Sequence, residues 1–117
     1  MSEHLLRFDI ATIAPEHGAP EPNRVLSGSP RFTTWNIEET PDGKVFSGIW
    51  EATPGKWRIA YDEWEFCSIL SGRSIVQADG GAAEKFGPGD SLVIRPGFTG
   101  TWEVVEKTRK LYVIRLT

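Results

Sequence analysis

From Phe32 onward, apolar and polar residues alternate in short runs separated by turn-forming residues, the pattern of successive β-strands. The runs are Phe32–Glu38, Lys44–Thr53, Trp57–Tyr61, Glu65–Leu70, Arg73–Ala78, Ala82–Phe86, Leu92–Arg95, Thr101–Glu106 and Leu111–Leu116. Pro41-Asp42-Gly43 is a tight hairpin signal, because an Asp-Gly pair adopts the positive backbone angles such turns need. Pro54-Gly55, Ser71-Gly72, Asp79-Gly80-Gly81, Gly87-Pro88-Gly89-Asp90 and Pro96-Gly97 mark further turns. Lys107, Arg109 and Lys110 read as a solvated basic turn before the last strand. No segment carries a sustained helical apolar period with caps. The pattern predicts an all-β domain, a sandwich or barrel, over residues 32–117.

Residues 1–31 differ. Pro15, Gly18, Pro20, Pro22, Gly28 and Pro30 interrupt regular structure, so this segment is expected to be an extended arm. One short strand is expected near Leu5–Ile10. Leu5, Leu6, Phe8, Ile10 and Ile13 call for burial, against the barrel or across a second subunit.

The length of 117 residues suits one core rather than two. A formal net charge of −3 without blocks of like charge argues against a nucleic-acid surface. The apolar runs are too short to span a bilayer as helices, and the N-terminus lacks the shape of a secretory signal. With the single Cys67, which has no intramolecular disulfide partner, these features predict a reduced, cytoplasmic protein. Five Trp is a high count at this length, and core packing is the default role for each. Trp50, Trp57 and Trp102 are the candidates to line a cavity and stack on a flat ligand.

Two spaced signatures add a family resemblance. The first is Glu65-x6-Gly72; the second runs from Gly89-Asp90 through Arg95-Pro96-Gly97 to Gly100. Together they resemble the two motifs of the cupin superfamily, G-x5-H-x-H-x3,4-E-x6-G and G-x5-P-x-G-x2-H-x3-N. Further similarity, in Gly48-Ile49-Trp50-Glu51, Gly55-Lys56-Trp57 and Gly100-Thr101-Trp102-Glu103-Val104, is to short cupins related to ureidoglycine aminohydrolase and the ethanolamine-utilisation Q protein. The resemblance implies a small antiparallel β-barrel or jelly roll. It also implies pairing through sheet edges, hence a homodimer.

The motif histidines are replaced. Their places fall on Ile59 and Tyr61 (or Arg58 and Ala60) and on Gly100, while Arg95 takes the place of the motif proline and Val104 that of the asparagine. A metal site needs three or four convergent ligands, and only Glu65 and Tyr61 offer any. His4 and His17 lie in the arm, where rigid support is lacking. The expectation is no metal and no cofactor.

Strand alternation puts Ile59, Tyr61 and Glu65 inside the barrel. A carboxylate there needs a partner: the Tyr61 hydroxyl, Arg58, Arg95 or a ligand. Glu65 with Tyr61 is either an acid–base pair or a buried, hydrogen-bonded remnant. Arg95 either guards the mouth and holds an anion or is an exposed strand-end residue. Cys67 shares the parity of Glu65 and reads as an inert buried thiol. The functional expectation is a small-molecule-binding barrel without metal, with a small-molecule ligand held among Trp50, Trp57, Tyr61, Glu65, Arg95 and Trp102. The alternatives are a metal-independent acid–base enzyme of isomerase, epimerase or hydrolase type using Glu65 and Tyr61, and a structural protein without ligand.

Overall fold

The structure, a computed structural model, describes residues 3–117; the first two residues of the expected arm lie outside the described residues. The described residues form nine strands: β1 (Glu16–Gly18), β2 (Val25–Gly28), β3 (Phe32–Glu39), β4 (Val45–Ala52), β5 (Gly55–Ala60), β6 (Trp64–Ala78), β7 (Ala83–Phe86), β8 (Ser91–Ile94) and β9 (Thr99–Arg115). A single 3-10 turn, Pro22–Arg24, precedes β2. Every pairing is antiparallel. The strands run β1-β3-β4-β9-β5-β2, and β6 joins β9 to β7 and β8. The result is a curled β-barrel of jelly-roll type, the expected fold.

A hairpin forms at Pro41-Asp42-Gly43, with Gly43 alone rather than the Asp-Gly pair at a positive backbone angle. Gly43 adopts φ of +69°, and its amide donates to the Thr40 carbonyl at 2.8 Å. Ser71-Gly72 behaves differently from the turn expected there. The chain passes through it without reversing, so two expected strands merge into the single long β6. The register against β9 shifts repeatedly between Ile69 and Ser74, which marks a bulged corner rather than a hairpin. Gly72 has φ of +83°, and a Cβ on it would run into the Lys107 carbonyl across the corner. Glycine therefore permits both the backbone angle and the close approach.

The same corner explains the second merger. Lys107–Lys110 is no turn: β9 continues through it, pairing with β5 up to Val104 and with β4 from Thr108. Alternation lapses at Val105–Lys107 and resumes with its parity unchanged, so Trp102, Val104, Thr108, Lys110 and Tyr112 all point inward. Ala52, Trp57, Ile69, Val76, Ile94, Trp102 and Val104 form the core. Its polar atoms are satisfied: Trp102 Nε1 donates to Ser74 Oγ at 3.1 Å, and the Ser74 and Thr108 hydroxyls lie 2.8 Å apart.

The arm also departs from expectation. Leu5–Asp9 form no strand, and Leu5, Leu6 and Phe8 are 69%, 52% and 41% exposed, since no element among the described residues buries them. Order in the arm comes instead from β1, which pairs with β3, and β2, which pairs with β5.

Candidate functional site

Three strands bring the polar floor of the barrel together. β6 contributes Glu65 and Cys67, the end of β5 leads into Tyr61, and β9 contributes Lys110. The register sets Glu65 opposite Ile114 and Cys67 opposite Tyr112. Tyr61 is fixed by its backbone: its amide donates to the Phe98 carbonyl at 2.9 Å, and its carbonyl accepts from the Gly97 amide at 2.7 Å.

On that frame the Tyr61 hydroxyl donates to Glu65 Oε1 at 2.6 Å. Lys110 Nζ lies 3.1 Å from Glu65 Oε2, and the two side chains are only 6% and 3% exposed. One carboxylate thus takes a phenol on one oxygen and an ammonium on the other. The ammonium also stands 4.5 Å from the ring centres of both Trp50 and Trp102, within cation–π range. Burial works against the charge of Lys110, but the neighbouring Glu65 carboxylate outweighs it and holds the ammonium above its ordinary value of 10.5. Burial, then the Glu65 charge, pushes Tyr61 well above 10.0 and keeps the phenol protonated. Burial pushes the Cys67 thiol up to about 12, leaving it a poor nucleophile.

Above the floor opens a cavity of about 490 Å³. Phe32, Trp50, Trp57, Ile59 and Trp102 form much of its apolar wall, and Glu16, Asn36 and Glu39 line it too. The Tyr112 hydroxyl donates to Asn36 Oδ1 at 2.6 Å at one side. The structure therefore places Trp50, Trp57, Tyr61, Glu65 and Trp102 around one space. Arg95 is exposed in the turn after β8 and is not among the residues lining this cavity. Arg58, a candidate partner of Glu65, points outward and pairs with Asp79 at 2.7 Å.

Lys110 is the site residue that reading the chain as a solvated basic turn hides. Its neighbours do serve the surface: Lys107 and Arg109 pair with Glu51 at 2.9 and 2.7 Å. Burial opposes ionisation of Glu51, yet these two partners hold its carboxyl below the ordinary carboxylate range. The signal for Lys110 is its parity with Trp102 and Tyr112, which becomes visible once β9 is one strand.

These residues do not suit a divalent metal. Both Glu65 oxygens are engaged, Ile59 and Gly100 offer no donor, and a Cβ at Gly100 would run into the Gln77 carbonyl. Among the described residues no group of three or more His, Cys, Asp or Glu could hold a metal ion. The fixed cation at the floor is the Lys110 ammonium.

Residues 39–112 match a family model described as EutQ-like cupin domain. No curated protein matches the chain. Among solved structures, a protein with unknown function of the DUF861 family from Pseudomonas syringae pv. tomato is 22% identical with a TM-score of 0.80, over 90% of this chain and 45% of that one. The chain thus spans less than half of that protein's length. The EutQ protein of Clostridium difficile is 18% identical (TM-score 0.66, covering 84% and 73% of the two chains). A predicted oxalate decarboxylase from Thermotoga maritima is 17% identical (TM-score 0.75, covering 96% and 100%). At these identities the likeness is one of fold.

The ion pair makes a stability prediction. Lys110→Met leaves Glu65 buried and uncompensated, and is expected to cost about 3–5 kcal/mol. Adding Glu65→Leu to it should recover most of that loss, since an apolar pair of similar volume has no charge to desolvate. Urea unfolding of the two singles and the double measures this; additive losses would show that the pair is not coupled.

Proposed function

We propose, from the premise that this chain belongs to the family of EutQ-like cupin domains, that it binds a small molecule in the barrel without a metal ion. The observation that carries the reading is an open cavity of about 490 Å³ whose floor is the Tyr61–Glu65–Lys110 cluster. A core packed solid would have no such space, and a purely structural barrel would have no need of a buried ion pair. Aromatic walls with a few convergent polar groups are the usual make-up of a small-molecule site. The buried, unpaired Cys67 accords with a reducing cytoplasmic setting.

A second reading has its own support. The 2.6 Å hydrogen bond from Tyr61 to Glu65 borders the cavity, so both groups can reach a bound ligand. In that reading Glu65 and Tyr61 exchange a proton with the ligand, and Lys110 holds the carboxylate in place.

The outer face of the sheet favours a homodimer. Phe66 sits between Val93 and Val113, and Ser68 between Ser91 and Leu111; Leu111 in turn faces Ile49, which faces Trp35. Glu65 and Cys67 point inward, so this row points out, and Val93 is 45% exposed. An apolar sheet face interrupted only by Ser68 and Ser91 within this row suits packing against a second copy of the same face.

Three measurements follow from these readings. Trp50, Trp57 and Trp102 border the cavity, so a screen of small metabolites by tryptophan emission should find a saturable change. Ile59→Trp, which fills the space, should abolish it; no response in the native protein would sink the binding reading. For the acid–base reading, a ligand so found should take up deuterium from heavy water and cease to do so with Glu65→Gln. Exchange that survives the substitution argues against that role. For assembly, native mass spectrometry at micromolar concentration should give twice the 13.1 kDa of one chain, and Val93→Glu should give the single chain. A native protein that stays monomeric removes the dimer.

A further inference from the structure

The hydrogen-bonding capacity of the cavity floor goes beyond the presence of a binding space. Tyr61 has one O–H, and Glu65 Oε1 takes it. The phenol oxygen is left as an acceptor. Lys110 carries three N–H donors, of which Glu65 Oε2 takes one. The other two stay on a group that lines the cavity beside the Trp50 and Trp102 rings. The phenol and the ammonium sit on the two oxygens of one carboxylate, so acceptor and donor belong to one cluster bordering one cavity.

Charge narrows the choice of ligand. The lining side chains include the carboxylates of Glu16, Glu39 and Glu65 against the single ammonium of Lys110. Glu65 neutralises that ammonium, while Glu16 and Glu39 have no ion pair among the described residues. An anion entering here meets uncompensated negative charge at the mouth and a neutral pair at the floor. An organic cation fares no better at the floor. The faces of Trp50 and Trp102 there are already occupied by Lys110, whose charge would repel it. At the mouth, Glu16 lies beside Thr34 while Glu39 stands at the far end of β3, so the two carboxylates do not converge on one group.

We infer that the ligand is an uncharged molecule whose carbonyl oxygen accepts from Lys110 while an adjacent N–H or O–H donates to the Tyr61 oxygen. This rests on the small-molecule reading above and specifies its ligand class. A primary carboxamide is the simplest group of that kind. Its flat body lies against the aromatic wall of Phe32, Trp50 and Trp57, which supplies affinity without selecting among functional groups.

Four probes of nearly one shape separate the possibilities: benzamide, benzoate, benzamidinium and N,N-dimethylbenzamide. Titrations by tryptophan emission, checked by thermal shift, should show benzamide binding most tightly. Each of the others should be weaker by about tenfold, the worth of roughly one net hydrogen bond. Tyr61→Phe keeps the Lys110–Glu65 pair and removes the phenol oxygen as an acceptor, together with the O–H that Glu65 Oε1 takes. It should weaken benzamide by about tenfold and leave N,N-dimethylbenzamide, which has no donor, unchanged. Circular dichroism of that variant confirms that its barrel is intact. Tighter binding of benzoate or benzamidinium than of benzamide overturns the ligand class while leaving the cavity a binding site. Equal loss of both amides on Tyr61→Phe overturns the donor–acceptor pairing. No binding by any of the four overturns the class, and silence in the wider metabolite screen as well removes the binding reading with it.

Discussion

An ammonium shut away from water is tolerable only where an opposite charge meets it in good geometry, and the interior of this barrel is organised around that requirement. Lys110 enters from β9 and Glu65 from β6, so the pairing of those two strands determines whether the charges meet. Trp50 and Trp102 close over the ammonium, and Tyr61 occupies the carboxylate oxygen that Lys110 leaves free. The tight fit of this cluster follows from charge neutralisation rather than from apolar packing alone. A shift of one residue between β6 and β9 would turn one of the two charges to the outer face.

The cluster also gives a physical reason why a cupin barrel can lack its histidines. A divalent ion in such a barrel would supply positive charge next to a carboxylate. Here a covalently held ammonium supplies it, with hydrogen-bond donors of its own. The difference matters for chemistry: an ammonium can donate protons and orient an oxygen, but it has no vacant coordination positions and no redox states.

Much of this was readable along the chain, and the exceptions share one cause. Turn residues located most strand ends, and two-residue alternation placed Ile59, Tyr61 and Glu65 on the inner face. Alternation also made Cys67 a buried thiol, as it is. What alternation cannot see is strand continuity. Ser71-Gly72 has the composition of a turn but forms a bulged corner, and Lys107–Lys110 looks solvated because two of its three cations are. Lys110 was hidden because a lysine is rarely buried and its compensating carboxylate lies 45 positions away in the chain. In the arm, Leu5, Leu6 and Phe8 have the composition of buried residues, and of the two expected covers the barrel of the same chain does not provide theirs.

Strand β9 pairs with β4, β5 and β6, and it comes after all of them in the sequence. Biosynthesis therefore delivers its three partners before it delivers the strand that joins them. Until then β4, β5 and β6 each keep an unpaired edge, and Glu65 has no counter-charge. The barrel must close after its last strand has left the ribosome, in a late step dominated by contacts between distant residues. For a nascent chain this is the interval of greatest exposure to aggregation, and a ribosome stalled only a few codons before Lys110 would leave a product without the β4–β9 ladder and without the cation of its cavity floor.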